Sequence, residues 1–202
     1  MNAISTIALA LGTSFAAGLN LYATVAALGL MQRFGVAQLP APLQVLAHPA
    51  VLTAAIALYV IEFVADKIPV VDTVWDVVHT FIRPPAAAIL AYGALAQVPE
   101  AWRVVAALLA GGIALTSHGT KATARAAANA SPEPFSNWGL SLFEDGFAVG
   151  LAWLAVRHPW ATVVIVVLLC ALCLFLLVRL FAFLRRALAR VFRREATSPQ
   201  AP

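Results

Sequence analysis

The 202-residue chain is 62% hydrophobic and only 11% charged, with a mean hydropathy of +0.90, a balance that excludes an ordinary water-soluble globular domain. Its formal net charge of +4 is local. Arg179, Arg185, Arg186, Arg190, Arg193 and Arg194 crowd the C-terminal end, which reads as a membrane flank and excludes a nucleic-acid patch.

A helix crossing the hydrocarbon core takes about 20 apolar residues. The first run of that scale, Ile4 to Met31, has no Lys or Arg before Arg33, so it reads as a retained span and not a cleaved leader. Its polar outlier is Asn20, in Gly18-Leu-Asn20-Leu-Tyr22-Ala-Thr24, with Gly12, Ala16 and Ala17 as small neighbours suited to close helix contact. Asn20 is expected either to hydrogen-bond between helices or to coordinate an ion or substrate. Gly35 follows as helix punctuation.

The second span is expected over Ala50–Val64, after Pro49. It runs into Glu62-Phe-Val-Ala-Asp66-Lys67-Ile-Pro69 and then Val70 to Arg83, where Asp72, Asp76, His79 and Arg83 are spaced four, three and four apart. That spacing makes an amphipathic helix with one polar stripe. The stripe either faces water from an interfacial helix, or faces inward, where Asp72, Asp76 and His79 would serve as metal-ion ligands or a proton relay. Pro84-Pro85 and Pro99 punctuate the next two spans, Ala86–Val98 and Val104–Thr116. The latter closes on a cationic stripe of His118, Lys121, Arg125 and Asn129, which share one helical face. Ion pairing with the acidic stripe is one reading, and an anion or lipid-phosphate site is the other.

Pro132 and Pro134 then enforce extended backbone, and Ser136 or Asn137 can cap the fifth span, Leu140–Val156. Glu144 and Asp145 fall in its first turns, either as partners of the helix dipole or as an ionisable pair at lipid depth. The sixth span, Ala161–Val178 after Pro159, continues into the basic tail. Cys170 and Cys173 lie within it, where packing is the expected role.

These runs predict an all-α polytopic bundle of about six transmembrane helices, some short or re-entrant. One domain covers residues 1–184, with a basic cytoplasmic tail over 185–202. Lipid leaves no partner for an open sheet, and barrel alternation is absent. Counting six crossings with the tail inside puts ten basic residues in the cytoplasm and three outside, and it leaves both termini cytoplasmic. Weak matches at shifts of 101 residues (Gly18, Asn20 and Thr24 on Gly119, Lys121 and Arg125) and 61 residues permit two inverted halves, as in many transporters.

The motifs Gly18-x-Asn20-x-Tyr22-x-Thr24, Glu62-x3-Asp66-Lys67-x-Pro69-x2-Asp72, His79-x3-Arg83-Pro84-Pro85, His118-x2-Lys121-x3-Arg125 and Asn129-x-Ser131-Pro132 through Glu144-Asp145 stand in one order over residues 8 to 160. This set resembles a widespread group of small bacterial membrane proteins catalogued as a domain of unknown function, which implies an inner-membrane location and carries no activity to import. A fainter analogy is to calcium or manganese exchangers with Glu-x-Gly-Asp-Lys motifs, from which Glu62, Asp66 and Ile68 depart in spacing and type.

The leading functional expectation is a transporter or channel-like protein for a small ion or charged solute. Glu62, Asp66, Asp72, Asp76, His79, Glu144 and Asp145 would be cation or proton sites, and Asn20, Arg83, His118, Lys121, Arg125 and Asn129 would line the path. The alternatives are an enzyme acting on a lipid headgroup through a metal held by Asp72, Asp76 and His79, for which no Ser or Cys nucleophile motif speaks, and a structural or assembly protein. The expected partners are the bilayer and the ion or solute, with a homo-oligomer allowed. No cofactor is assigned.

Overall fold

A computed structural model of the chain describes residues 2–129 and 135–196. The expected extended turn at Ser131, Pro132 and Pro134 lies outside the described residues, as do the side chains of Asn129, Ser136 and Asn137. Among the described residues the regular structure is entirely helical: α1 (Ala3–Leu19), α2 (Leu21–Arg33), a 3-10 helix (Ala41–Ala47), α3 (Pro49–Ala65), α4 (Pro69–Ala94), α5 (Glu100–Asn129), α6 (Phe135–Arg157) and α7 (Pro159–Ala196). This is the all-α bundle that the apolar runs predict.

The run Ile4–Met31, expected as one span, is two helices that fold back on each other. Asn20 sits between them at φ −147° and ψ 104°, and its Oδ1 accepts the Ala23 N–H at 2.8 Å, capping α2. Thr6, near the start of α1, lines the same cleft as Leu39 and Pro40, beyond the end of α2. The Leu39 N–H in turn binds Gln32 Oε1 at 2.7 Å. The outer ends of the two helices therefore lie together, and Asn20 is the buried tip of the turn. Gly35, at φ +69°, ends α2 in the left-handed conformation that glycine adopts without strain.

The expected amphipathic segment Val70–Arg83 and the span Ala86–Val98 are one helix, α4, with Pro84 and Pro85 inside it. Proline lacks the backbone donor a helix interior needs, which is why a boundary was expected there. The buried stripe nevertheless passes through in register: Asp72, Asp76, His79 and Arg83 continue as Ala87, Leu90, Ala91 and Ala94. α5 carries the matching stripe of Ala110, Ala114, Ser117, His118, Lys121 and Arg125. The two helices make the most extensive pair in the molecule, polar half against polar half and alanine half against alanine half.

From α3 onward the helices alternate between the two ends of the bundle. α7 leaves Thr162 beside Gly12 of α1 and brings Leu177 beside Gly119 of α5. The N-terminal end of α1, at the level of Ala94 and Gln97, is thus at the opposite end of the bundle from the basic end of α7. Three helices, α5, α6 and α7, are long and apolar enough to cross a membrane, or four if the 3-10 helix and α3, whose axes differ by 66°, form one span. The expected repeat also lacks its counterpart, since the 101-residue shift sets the break at Asn20 on Lys121, where α5 runs unbroken.

The polarity of the bundle is inverted relative to a water-soluble one. On α4, Val70, Val74, Phe81 and Ile89 face outward at 62–77% exposure, and on α5 Leu108 and Leu109 do the same. The charged stripes face inward. A helix in water buries its apolar face; this arrangement suits an apolar solvent and marks a membrane protein. Of the two readings of the acidic stripe, the inward-facing one is what burial of Asp72, Asp76 and His79 matches. Cys173 is buried and Cys170 half-buried, both free and packed in an apolar cluster with Phe15 and Val166.

Candidate functional site

The turn at Asn20 organises the charges. Ending α1 inside the protein leaves carbonyls of its last turn without helical donors; Ala16 O accepts from the Asn20 N–H, and those of Gly18 and Leu19 find donors on neighbouring helices, where Phe15 O gains a second donor. Phe15 O accepts from Ser117 Oγ at 3.0 Å, Gly18 O from an Arg83 guanidinium nitrogen at 2.7 Å, and Leu19 O from Lys121 Nζ at 3.2 Å. Two cations thus rest on the negative end of a helix dipole. On the other side of the break, Asn20 Nδ2 donates to Asp145 Oδ1 at 2.8 Å, and Tyr59 donates to Asp145 Oδ2 at 3.1 Å.

The cations carry the carboxylates. Arg83 binds Glu62. Lys121 Nζ lies 3.4 Å from Glu62 and from Asp66 and 3.6 Å from Glu144. Arg125 is the hub: it donates to the Asp66 carbonyl at 2.8 Å, to Asp66 Oδ2 at 2.7 Å and to Glu144 Oε2 at 2.6 Å, with Asp72 at 3.6 Å. Its planar fork allows these bonds at once. The end of α3, the first half of α4, the second half of α5 and the start of α6 each supply part of the cluster.

The two histidines have assignable tautomers, because an arginine can only donate and a carbonyl can only accept. His118 Nδ1 accepts from Arg83 at 2.8 Å, so its Nε2–H donates to the Asp76 carbonyl at 3.0 Å, with Thr80 Oγ1 also at 3.0 Å. His79 Nδ1–H donates to the Trp75 carbonyl at 2.8 Å, and its Nε2 accepts the Tyr22 hydroxyl at 3.1 Å. With both nitrogens engaged, His79 does not join Asp72 and Asp76 in a metal site. Among the described residues, no three His, Cys, Asp or Glu side chains are grouped to hold a metal ion.

The expected site residues Asn20, Glu62, Asp66, Asp72, Asp76, His79, Arg83, His118, Lys121, Arg125, Glu144 and Asp145 are all buried in one region; Asn129 ends α5, and its side chain lies outside the description. Sequence reasoning missed Tyr59, Ser117 and Thr80. Thr80 was within reach, since it stands four residues after Asp76. The charge balance of the cluster is uneven. Six buried carboxyl groups, those of Glu62, Asp66, Asp72, Asp76, Glu144 and Asp145, meet three buried cationic groups, those of Arg83, Lys121 and Arg125. Glu62 Oε2, Asp66 Oδ1 and Asp76 Oδ1 have no hydrogen-bond partner among the described residues. Beside them a cavity of about 140 Å³ opens between α4 and α5, lined by Asp72, Thr73, Asp76, Thr80 and Arg125 among others.

A family model described as Domain of unknown function (DUF4126) matches residues 7–179. The match extends past the expected limit at residue 160 to take in most of the apolar part of α7. No curated protein and no solved structure matches the chain.

Proposed function

The chain belongs to the family described as Domain of unknown function (DUF4126), and from that premise we propose that it is a membrane transport protein that passes a small ion through the buried charged chamber at Asn20. The observation that carries this reading is the helix that stops and turns back inside the bundle, with its terminal carbonyls and cap meeting ionisable groups from three other helices. Irregular backbone at membrane depth is tolerated where protein or a polar cavity surrounds it, and interrupted helices are where transporters place ion sites. Burying a dozen polar and charged side chains is costly. A purely architectural role would be served better by apolar packing, which often replaces buried ion pairs without loss of stability.

The cavity lies between α4 and α5, in the half of the bundle toward Lys67 and the basic end of α7, and the positive-inside bias favours the cytoplasm for that half. An enzyme acting on a lipid headgroup has less support, because the metal-ligand trio it needs is not assembled.

The test is ion flux in proteoliposomes, read with a panel of cation and anion gradients. The wild-type chain is expected to support flux of a small ion, and Asp66→Asn and Glu144→Gln, each uncharging a chamber carboxylate, are expected to reduce it at least about tenfold, the scale of one lost charge-assisted contact. Flux that is absent from the folded wild type, or unchanged in both variants, overturns the reading.

A further inference from the structure

We infer that the cavity between α4 and α5 is a binding site for a hydrated alkali-metal cation, held by the Asp76 carboxylate with the Thr80 hydroxyl and Asp72 beside it. This deepens the transport reading and rests on it for the ion's passage, though not for its binding.

The first support is charge. The chamber holds six carboxyl groups against three cationic ones, and an uncompensated excess of negative charge is not stable in a low-dielectric interior. Protonation or a bound cation relieves that excess, and a ligand held here is positive and not an anion or lipid phosphate, since Lys121 and Arg125 are already engaged by Asp66, Glu62 and Glu144.

The second support is a side chain without a partner. Asp76 is 6% exposed, lines the cavity, and its Oδ1 has no hydrogen-bond partner among the described residues. A buried carboxylate oxygen normally has one. Thr80 Oγ1 donates its proton to the Asp76 carbonyl at 2.8 Å, which keeps a hydroxyl lone pair free to act as a further oxygen ligand on the cavity wall.

Size and donor type narrow the ion. A volume of about 140 Å³ corresponds to roughly four or five waters at about 30 Å³ each. That is room for an ion that keeps part of its water shell, whereas a proton alone needs no such space. Calcium takes six to eight oxygen ligands, several of them carboxylate. Here two carboxylates share the cavity with the Arg125 guanidinium, a poor environment for a doubly charged ion and an adequate one for a singly charged ion.

The experiment uses the full-length protein purified in detergent. Thermal unfolding and titration calorimetry are run with sodium chloride, potassium chloride and calcium chloride, with choline chloride holding ionic strength constant. Sodium or potassium is expected to raise Tm saturably, where choline does not. Asp76→Asn is expected to weaken the binding at least tenfold and Thr80→Val to weaken it less, both retaining the wild-type Tm in choline. If Asp76→Asn does not fold, the wild-type titration and Thr80→Val carry the test. Equal responses to choline and the alkali cations, a response to calcium alone, or an alkali response unchanged in the variants overturns the site. Flux of another ion without alkali binding removes the site and leaves the transport reading standing. Alkali binding without flux removes the transport reading and leaves the site.

Discussion

Arg125 shows how single residues hold the chamber together. It is 1% exposed and bonds to both Asp66 and Glu144, so removing it takes the shorter-range partner from two buried carboxylates and leaves them to share Lys121 at 3.4 and 3.6 Å. Breaking a buried pair from one side costs about 3–5 kcal/mol. Arg125→Met is therefore expected to lower Tm sharply in detergent, and Arg125→Lys to recover only part of the loss, because one ammonium cannot reproduce the guanidinium fork. Adding Glu144→Gln to Arg125→Met is expected to return some stability, since it removes a charge that the first substitution left to the more distant Lys121 alone. An Arg125→Met protein as stable as wild type would show that the pairs contribute nothing. The residue types in this cluster were legible, because three- and four-residue spacing put each stripe on one helical face. The partners were not legible: Arg83 reaching Gly18 O, or Asn20 reaching Asp145, depends on where α1 stops, and periodicity does not encode that.

Helices meet most tightly where α1 crosses α5. A Cβ at Gly18 would fall against Ser117 Oγ and the Ala114 carbonyl, well inside contact distance. Gly18→Ala must then push the two helices apart and draw the Gly18 and Leu19 carbonyls away from Arg83 and Lys121. Overpacking of this kind costs about 1–3 kcal/mol, and the expected result is a lower Tm together with weaker alkali-cation binding, since the cations released from α1 repack against the carboxylates. A fully wild-type Gly18→Ala protein would contradict the close approach. Ser117→Ala, which removes the softer of the two obstacles, is expected to relieve the clash only in part because the Ala114 carbonyl remains. At this scale the apolar runs of α6 and α7 were readable to within a few residues, as was Gly35 at the end of α2. Two features escaped. One polar residue in a long apolar run does not tell a buried hydrogen bond from a reversal, and Asn20 is both. Pro84-Pro85 argued locally for a boundary, while the stripe on either side, with Arg83 and Ala87 in register, argued for continuity, and burial against α5 decided it.

At the scale of the whole molecule, the turn at Asn20 bears on which side of the membrane the N-terminus is expected to occupy. Because α1 and α2 fold back together, the chain enters and leaves that pair at one end, the end that also carries Arg33, Arg103 and Arg157. Lys67 and the arginines of α7 lie at the other. Setting aside Arg83, Lys121 and Arg125, which are buried in the chamber, seven basic residues toward the α7 end stand against Arg33, Arg103 and Arg157, so the positive-inside bias favours the cytoplasm for the α7 end. The N-terminus is then expected on the opposite side. The measurement is a cysteine scan in intact cells, with Cys170 and Cys173 replaced by serine and a single cysteine set at residue 2 or at residue 186. An impermeant maleimide added from outside is expected to label Asn2→Cys and to spare Arg186→Cys until the membrane is opened. Labelling of neither before lysis would mean that the N-terminal run crosses once more after all, and the paired helices of this fold would then not describe the protein in its membrane. Labelling of both would be incompatible with α7 as a crossing helix, which its apolar length and its 17% buried surface otherwise require of a segment this poorly covered by protein.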